Sequence, residues 1–168
     1  MLVYLVRHGD AADLSANGPR TDADRPLTDD GRIRFREAAE CYAGLMIEPD
    51  RVVSSPLVRA RETAEILCEE LEFGGALEES EQLVYSAPPT RAVTLLQAEL
   101  LAHSDSIVLV GHEPHLGCLL GLLLSGSDRA PMPLSKGMCA AVEIREPQSM
   151  IGKLRFALSQ KIARKLGR

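Results

Sequence analysis

The 168-residue sequence predicts an α/β fold, a three-layer α/β/α sandwich on a mostly parallel central sheet with one antiparallel edge strand. Three short apolar, β-rich runs, at 2–6, 51–55 and 106–110, alternate with segments of helical periodicity, and strand–helix–strand order implies right-handed crossovers between parallel strands. Two more strand-like runs, 139–145 and 153–158, are separated only by a turn at 146–152 and read as a hairpin supplying the antiparallel edge.

The elements follow in order. Residues 2–6 form a buried strand with Tyr4 as its one polar member. Residues 10–28 are polar and rich in Gly, Pro, Asp and Asn, and read as one long loop; such a loop after a strand end is usually functional. Thr28 or Asp29 caps a helix over 29–45, with Ile33, Ala38, Cys41, Tyr42 and Leu45 as its apolar stripe. The strand 51–55 runs through Pro56 into a helix whose Leu57, Ala60, Ala64, Leu67, Cys68 and Leu71 recur at helical spacing. Residues 74–89 read as irregular, and a third helix covers 89–102. The strand 106–110 leads through Gly-His-Glu-Pro into a fourth helix over 114–125, and 134–138 is a loop. One domain accounts for residues 1–168, with 159–168 a basic tail carrying Lys161, Arg164, Lys165 and Arg168 that reads either as a short helix or as a mobile, solvated end.

Composition narrows the function. A net charge of −5 argues against nucleic acid as a partner, because backbone-phosphate binders need a basic face. Any anion site is therefore a local focus of positive charge. Cys41, Cys68, Cys118 and Cys139 form no C-x-x-C pair and read as buried free thiols, pointing to a reducing compartment. There is no secretory leader pattern at the start. The longest apolar stretch, 116–124, is about half the ~20 residues a membrane span needs. The expected location is the cytoplasm, with no membrane partner.

Chemistry collects at three strand ends: Arg7-His8-Gly9, Ser54-Ser55-Pro56 with Arg59 in the following first turn, and Gly111-His112-Glu113-Pro114. In a parallel sheet these ends share one edge, where open α/β sheets place their ligands and where helix N-termini favour anions. Arginine grips oxyanions in a planar fork, histidine serves as a nucleophile, and glycine lets backbone approach a ligand. The edge reads as a phosphate site.

These motifs resemble the histidine phosphatase superfamily, which includes the phosphoglycerate-mutase-like enzymes. Arg-His-Gly at 7–9, Ser-Ser-Pro-Leu-Val-Arg-Ala-Arg-Glu-Thr-Ala at 54–64 and Gly-His-Glu-Pro at 111–114 carry the resemblance. Arg-His-Gly-Asp-Ala at 7–11, Arg-Pro-Leu-Thr-Asp-Asp-Gly at 25–31 and the short path from 72 to 88 are similar to SixA-type phosphohistidine phosphatases. The resemblance covers residues 1–158 and implies a phosphoglycerate-mutase-like fold.

The resemblance makes His8 the nucleophile, forming a phosphohistidine intermediate that water hydrolyses. It makes Arg7, Arg59 and His112 the groups that hold the phosphoryl oxygens, with Gly9 lining the substrate site. Arg25 is a further substrate-binding candidate and Asn17 a candidate at the mouth. Ser54 and Ser55 read as structural through turn hydrogen bonds. Arg61, two residues beyond Arg59, falls on another helix face and reads as solvated, and His103 reads as a surface residue. His112 and His115 are three apart, but Glu113-Pro114 breaks the geometry of a ligating pair, so neither metal nor cofactor is expected.

No motif marks a general acid. Glu81 and Asp10 are the positional candidates, and SixA-type proteins resemble this chain in lacking an evident one. A phosphoramidate takes its proton on nitrogen and needs less help to leave than an alkoxide. The expected activity is metal-independent removal of phosphate from a phosphohistidine on a partner protein. A small-molecule phosphomonoesterase and a non-catalytic phosphate- or phosphohistidine-binding module are the alternatives. A shallow site suits a phosphoprotein and a deep one a small phosphate ester.

Overall fold

The computed structural model describes residues 1–15, 18–129 and 131–167. Its elements are β1 (Leu2–Arg7), α1 (Asp29–Leu45), β2 (Arg51–Ser54), α2 (Val58–Glu70), β3 (Leu77–Glu79), a 3-10 turn (Glu81–Leu83), α3 (Pro89–Leu101), β4 (Ser106–Gly111), α4 (His115–Ser125), β5 (Cys139–Glu143), β6 (Lys153–Leu158) and α5 (Gln160–Leu166). The sheet runs β3-β2-β4-β1-β5-β6. The first four strands in that order are parallel, β5 runs against β1, and β6 returns antiparallel to β5 and closes the edge.

Alternation along β1 divides the core. Val3 and Leu5 point to one face and join Leu96 of α3 with Leu116, Leu119 and Leu123 of α4. Tyr4 and Val6 point to the other, against Phe35, Ala38 and Tyr42 of α1, Ala60, Ala64 and Leu67 of α2, and Ala163 of α5. A period of two on a strand makes this partition unavoidable. The result is the α/β/α sandwich the strand–helix order implies.

Four local outcomes differ from the sequence reading. The irregular stretch after α2 contains β3, which adds to the parallel edge through Val52 and Leu77. Its three residues are too few for any periodicity, and the Arg51 guanidinium holds it by gripping Glu78 with two hydrogen bonds, at 2.8 and 2.5 Å. In α1 the buried stripe is Phe35, Ala38, Ala39 and Tyr42, whereas Ile33 is 60% exposed and Leu45 50%. Phe35 and Tyr42 set the helix's rotation, and Ile33 then falls on the solvent side. Only Cys139 is buried; Cys41, Cys68 and Cys118 are half-buried thiols.

The fourth concerns the tail. Of the two readings of the tail the helical one holds and the solvated end does not: residues 160–166 form α5, which buries Ala163 against the α1 layer and pairs Arg164 with Glu37. Its basic side chains hide one small apolar contact, which is why composition alone reads as solvated. Arg168 lies outside the described residues. Among the described residues no helix is long and apolar enough to cross a membrane.

The long loop is tied at its base. An isolated bridge joins Ala11 and Leu27, and Thr28 both caps α1, accepting from Gly31 N–H at 2.8 Å, and donates its own N–H to Asp10 O. Gly31 is required here, because a Cβ would come within 2.3 Å of the Asp10 carbonyl oxygen. Loop and helix therefore close tightly over the end of β1.

Candidate active site

β1 sits between β4 and β5, and the ladder continues past its last residue: His8 N–H donates to Gly111 O at 3.0 Å and Ser55 N–H to Val110 O at 2.9 Å. The ends of β1, β2 and β4 therefore meet at one edge, bringing His8, Arg7, Arg59 and His112 together from stretches about 50 residues apart in sequence.

His8 is 7% exposed. Its Nδ1–H donates to Gly9 O at 2.7 Å, which leaves Nε2 as the lone-pair nitrogen, and Arg59 Nε lies 3.3 Å from that Nε2. Burial, outweighing the Gly9 bond and assisted by the charges of Arg59, Arg7 and Lys136, pushes the imidazole pKa down to about 4. At neutral pH His8 is thus an uncharged base with a fixed tautomer. That is the state a phosphoryl nucleophile requires.

His112 is 1% exposed, with its ring centroid 5.0 Å from that of His8 and the planes inclined at 52°. Its Nε2 is 2.8 Å from Ser55 Oγ, and its Nδ1 is buried without a partner among the described residues. Burial, then the neighbouring His8 and Arg59, push its pKa to about 2. It too is neutral, so the positive charge of the site belongs to the two arginines.

Arg59 enters from the first turn of α2. Thr63, one turn on, fixes that turn to β1: its hydroxyl accepts from Gly9 N–H at 3.1 Å and donates to Arg59 O at 2.6 Å. The Arg59 guanidinium also donates to Asp22, to the backbone oxygen at 2.6 Å and to the carboxylate at 3.0 Å. Burial raises the Asp22 carboxyl, but the hydrogen bonds from Arg25 and Arg59 together outweigh it and hold the pKa below the usual value. A carboxylate from the long loop therefore rests on a guanidinium suited to a phosphoryl oxygen.

Arg7 donates from one Nη to Leu134 O at 2.7 Å, and its Nε is buried without a partner among the described residues. Leu134 N–H in turn donates to Glu113 at 3.1 Å, so the backbone of Leu134 bridges the two side chains through both its carbonyl and its N–H. Burial lowers the Arg7 pKa and Glu113 draws it back up; burial likewise raises Glu113.

The other candidates have different surroundings. Arg25 donates to Ala12 O at 2.6 Å and to Asp22 at 3.0 Å, so it braces the loop and holds the carboxylate that meets Arg59. Gly9 has its N–H and its carbonyl committed to Thr63 and His8, and a Cβ there would crowd Leu27 at 3.3 Å. Asp10 pairs with Lys136, whose charge bears on His8. Glu81 is exposed on the 3-10 turn and, among the described residues, makes no hydrogen bond or ion pair with the four central groups. Arg61 is half exposed and pairs with Glu65 and Glu79, His103 is exposed, and His115 is buried with neither ring nitrogen partnered among the described residues. Asn17 lies outside the described residues.

Three contributors, Thr63, Tyr85 and Asp22, escaped the sequence reading, and Ser55 was read only as a turn residue. Ser55 and Thr63 lie inside the 54–64 motif, and Thr63 carries a signal, being four residues from Arg59 on the same helix face. Tyr85, 47% exposed, stands edge-on to His112 with centroids 6.2 Å apart and planes at 89°. Asp22 has no local signal, since only the course of the loop brings it to Arg59.

Residues 3–84 match the family model of the histidine phosphatase superfamily, branch 1. The phosphohistidine phosphatase SixA of Escherichia coli is 33% identical over 138 residues, covering 79% of both chains. The chain belongs to the histidine phosphatase superfamily. A Picosynechococcus protein of uncharacterised function is 36% identical over 117 residues, covering 70% of this chain and 69% of its own. The solved structure of the protein histidine phosphatase SixA complexed with tungstate superposes with a TM-score of 0.85 at 28% identity, covering 96% of this chain and 98% of that one. As a histidine phosphatase the chain is a hydrolase, on a phosphoglycerate-mutase-like scaffold of the SixA form.

Proposed function

We propose that this histidine phosphatase removes phosphate from phosphohistidine on a partner protein through a phospho-His8 intermediate. The observation that carries the reading is His8 itself, neutral, with Nδ1–H held by Gly9 O and the Nε2 lone pair turned to Arg59. In the first step Nε2 forms a bond to phosphorus as the substrate's P–N bond breaks, and the leaving imidazole takes a proton from water. In the second, water attacks phospho-His8 and releases inorganic phosphate. Arg7, Arg59 and His112 stabilise the charge on the equatorial oxygens. Two guanidiniums supply the positive charge that a cation supplies in other phosphatases, so the chemistry assigned here is metal-independent and needs no cofactor.

Substrate class rests on two supports. SixA of E. coli is a phosphohistidine phosphatase. The carboxylates nearest the site are committed, Asp22 to two arginines and Asp10 to Lys136, which suits a leaving group that needs no strong acid. Four free thiols fit a reducing compartment, and we place the protein in the cytoplasm.

His8→Ala is expected to lose hydrolysis of a phosphohistidine protein by about a thousandfold or more. A neutral- or alkaline-quenched reaction with labelled substrate is expected to trap phosphate on wild type and not on the variant. Variant activity near wild type would overturn the mechanism. A preference for sugar phosphates across a substrate panel would reassign the protein as a small-molecule phosphomonoesterase, and binding without turnover would make it a recognition module.

A further inference from the structure

Ser55 lies at the end of β2, fully buried, with its Oγ 2.8 Å from His112 Nε2. Leu57 N–H also points at that oxygen, at 3.4 Å. Ser54 Oγ is engaged elsewhere, with the Ser55 carbonyl. The Ser55 hydroxyl proton therefore has one acceptor among the described residues, His112 Nε2. Were Nε2 protonated instead, it would donate to Ser55 and leave a buried hydroxyl hydrogen with no acceptor, a cost that folded interiors avoid.

We propose that Ser55 is a positioning residue that sets the tautomer of His112, making Nδ1–H the group presented to the substrate's phosphoryl oxygens. The chain of donors runs one way, from Leu57 N–H to Ser55 Oγ, from Ser55 O–H to His112 Nε2, and from His112 Nδ1–H into the site. The final donor is the buried ring nitrogen that has no partner among the described residues. An orphaned buried donor beside the nucleophile is what a site built to receive an oxyanion leaves open. The two histidines thus carry the same tautomer for opposite purposes. Gly9 O consumes the Nδ1–H of His8 and frees Nε2 as a base, whereas Ser55 fills Nε2 of His112 and frees Nδ1–H as a donor. The two rings then act as a base and a neutral donor without either becoming an imidazolium.

The consequence for turnover rests on the phosphatase reading, but the tautomer does not. Long-range nitrogen–proton correlation spectra of the full-length resting protein are expected to show His112 protonated at Nδ1 and bare at Nε2. Inorganic phosphate is expected to shift the Nδ1 resonance. Ser55→Ala is expected to lose the single tautomer and to lower kcat and kcat/KM together by about ten- to a hundredfold. A resting spectrum with Nε2–H overturns the proposal, as does a Ser55→Ala protein that keeps both the wild-type tautomer and the wild-type rate. If Ser55→Ala does not fold, the wild-type spectrum decides alone. An Nδ1–H tautomer in a protein that hydrolyses no phosphoryl compound would support this inference while refuting the phosphatase reading.

Discussion

His8 and His112 lie side by side with two arginines, and burial keeps both rings neutral. A histidine on the surface would be partly protonated near neutrality and a poor nucleophile. Here desolvation opposes the charged form, and the adjacent guanidiniums oppose it further. NMR titration of the free protein is expected to place His8 near 4, well below the ordinary 6.5. The linkage has a definite sign. Between about 4 and 6.5 the unfolded chain binds a proton that the folded His8 refuses, so stability rises with pH through that window and falls on acidification. At pH 5 the loss is about 2 kcal/mol from His8 alone, an order-of-magnitude figure. A urea midpoint that drops less in His8→Ala than in wild type between pH 7 and pH 5 checks it; a His8 titration at 6.5 would remove the argument.

One element bears on the site and another on stability. The 10–28 loop presses Asp22 onto Arg59, and Arg25 holds the same carboxylate from the other side. A phosphoryl group bound as proposed would compete with Asp22 for one guanidinium. Asp22→Asn removes the competing charge while keeping the side chain's shape. Tungstate, the anion held by the SixA structure, is expected to bind the variant several-fold more tightly in a calorimetric titration, whereas weaker binding would make Asp22 a support for Arg59. The helix α5 acts on stability. It buries Ala163 beside α1, and Tyr42 OH donates to Leu158 O at 3.1 Å just before it. Truncation after Ser159 is expected to cost about 1–2 kcal/mol. An unchanged thermal midpoint would mean that the tail contributes nothing.

At the scale of the whole molecule, the sheet makes the site by convergence. Arg7, Arg59 and His112 come from three βα junctions, and the parallel order β2-β4-β1 sets those junctions at one edge. That much was legible in the linear chain. Apolar runs alternating with helical stretches imply parallel strands, and parallel strands have their C-terminal ends together. Reactive side chains directly after each strand then mark the edge. The hairpin of β5 and β6 was legible for a similar reason, since its connection is too short for a crossover. What depended on distant contacts was not. β3 pairs with β2 through its backbone and is braced by Arg51 on Glu78, and three residues carry no period. α5 packs through one alanine among basic residues. The sequence by itself determined the class of fold and the chemical types at the active edge, because these follow from short-range pattern and position relative to strand ends; the family resemblance of its motifs is what proposed His8 as the nucleophile. Tertiary structure alone decided which nitrogen of each histidine is free, that Asp22 covers Arg59, and that Ser55 faces His112 and not merely its own turn. Those are matters of a few ångströms between residues dozens of positions apart, and only packing sets distances on that scale.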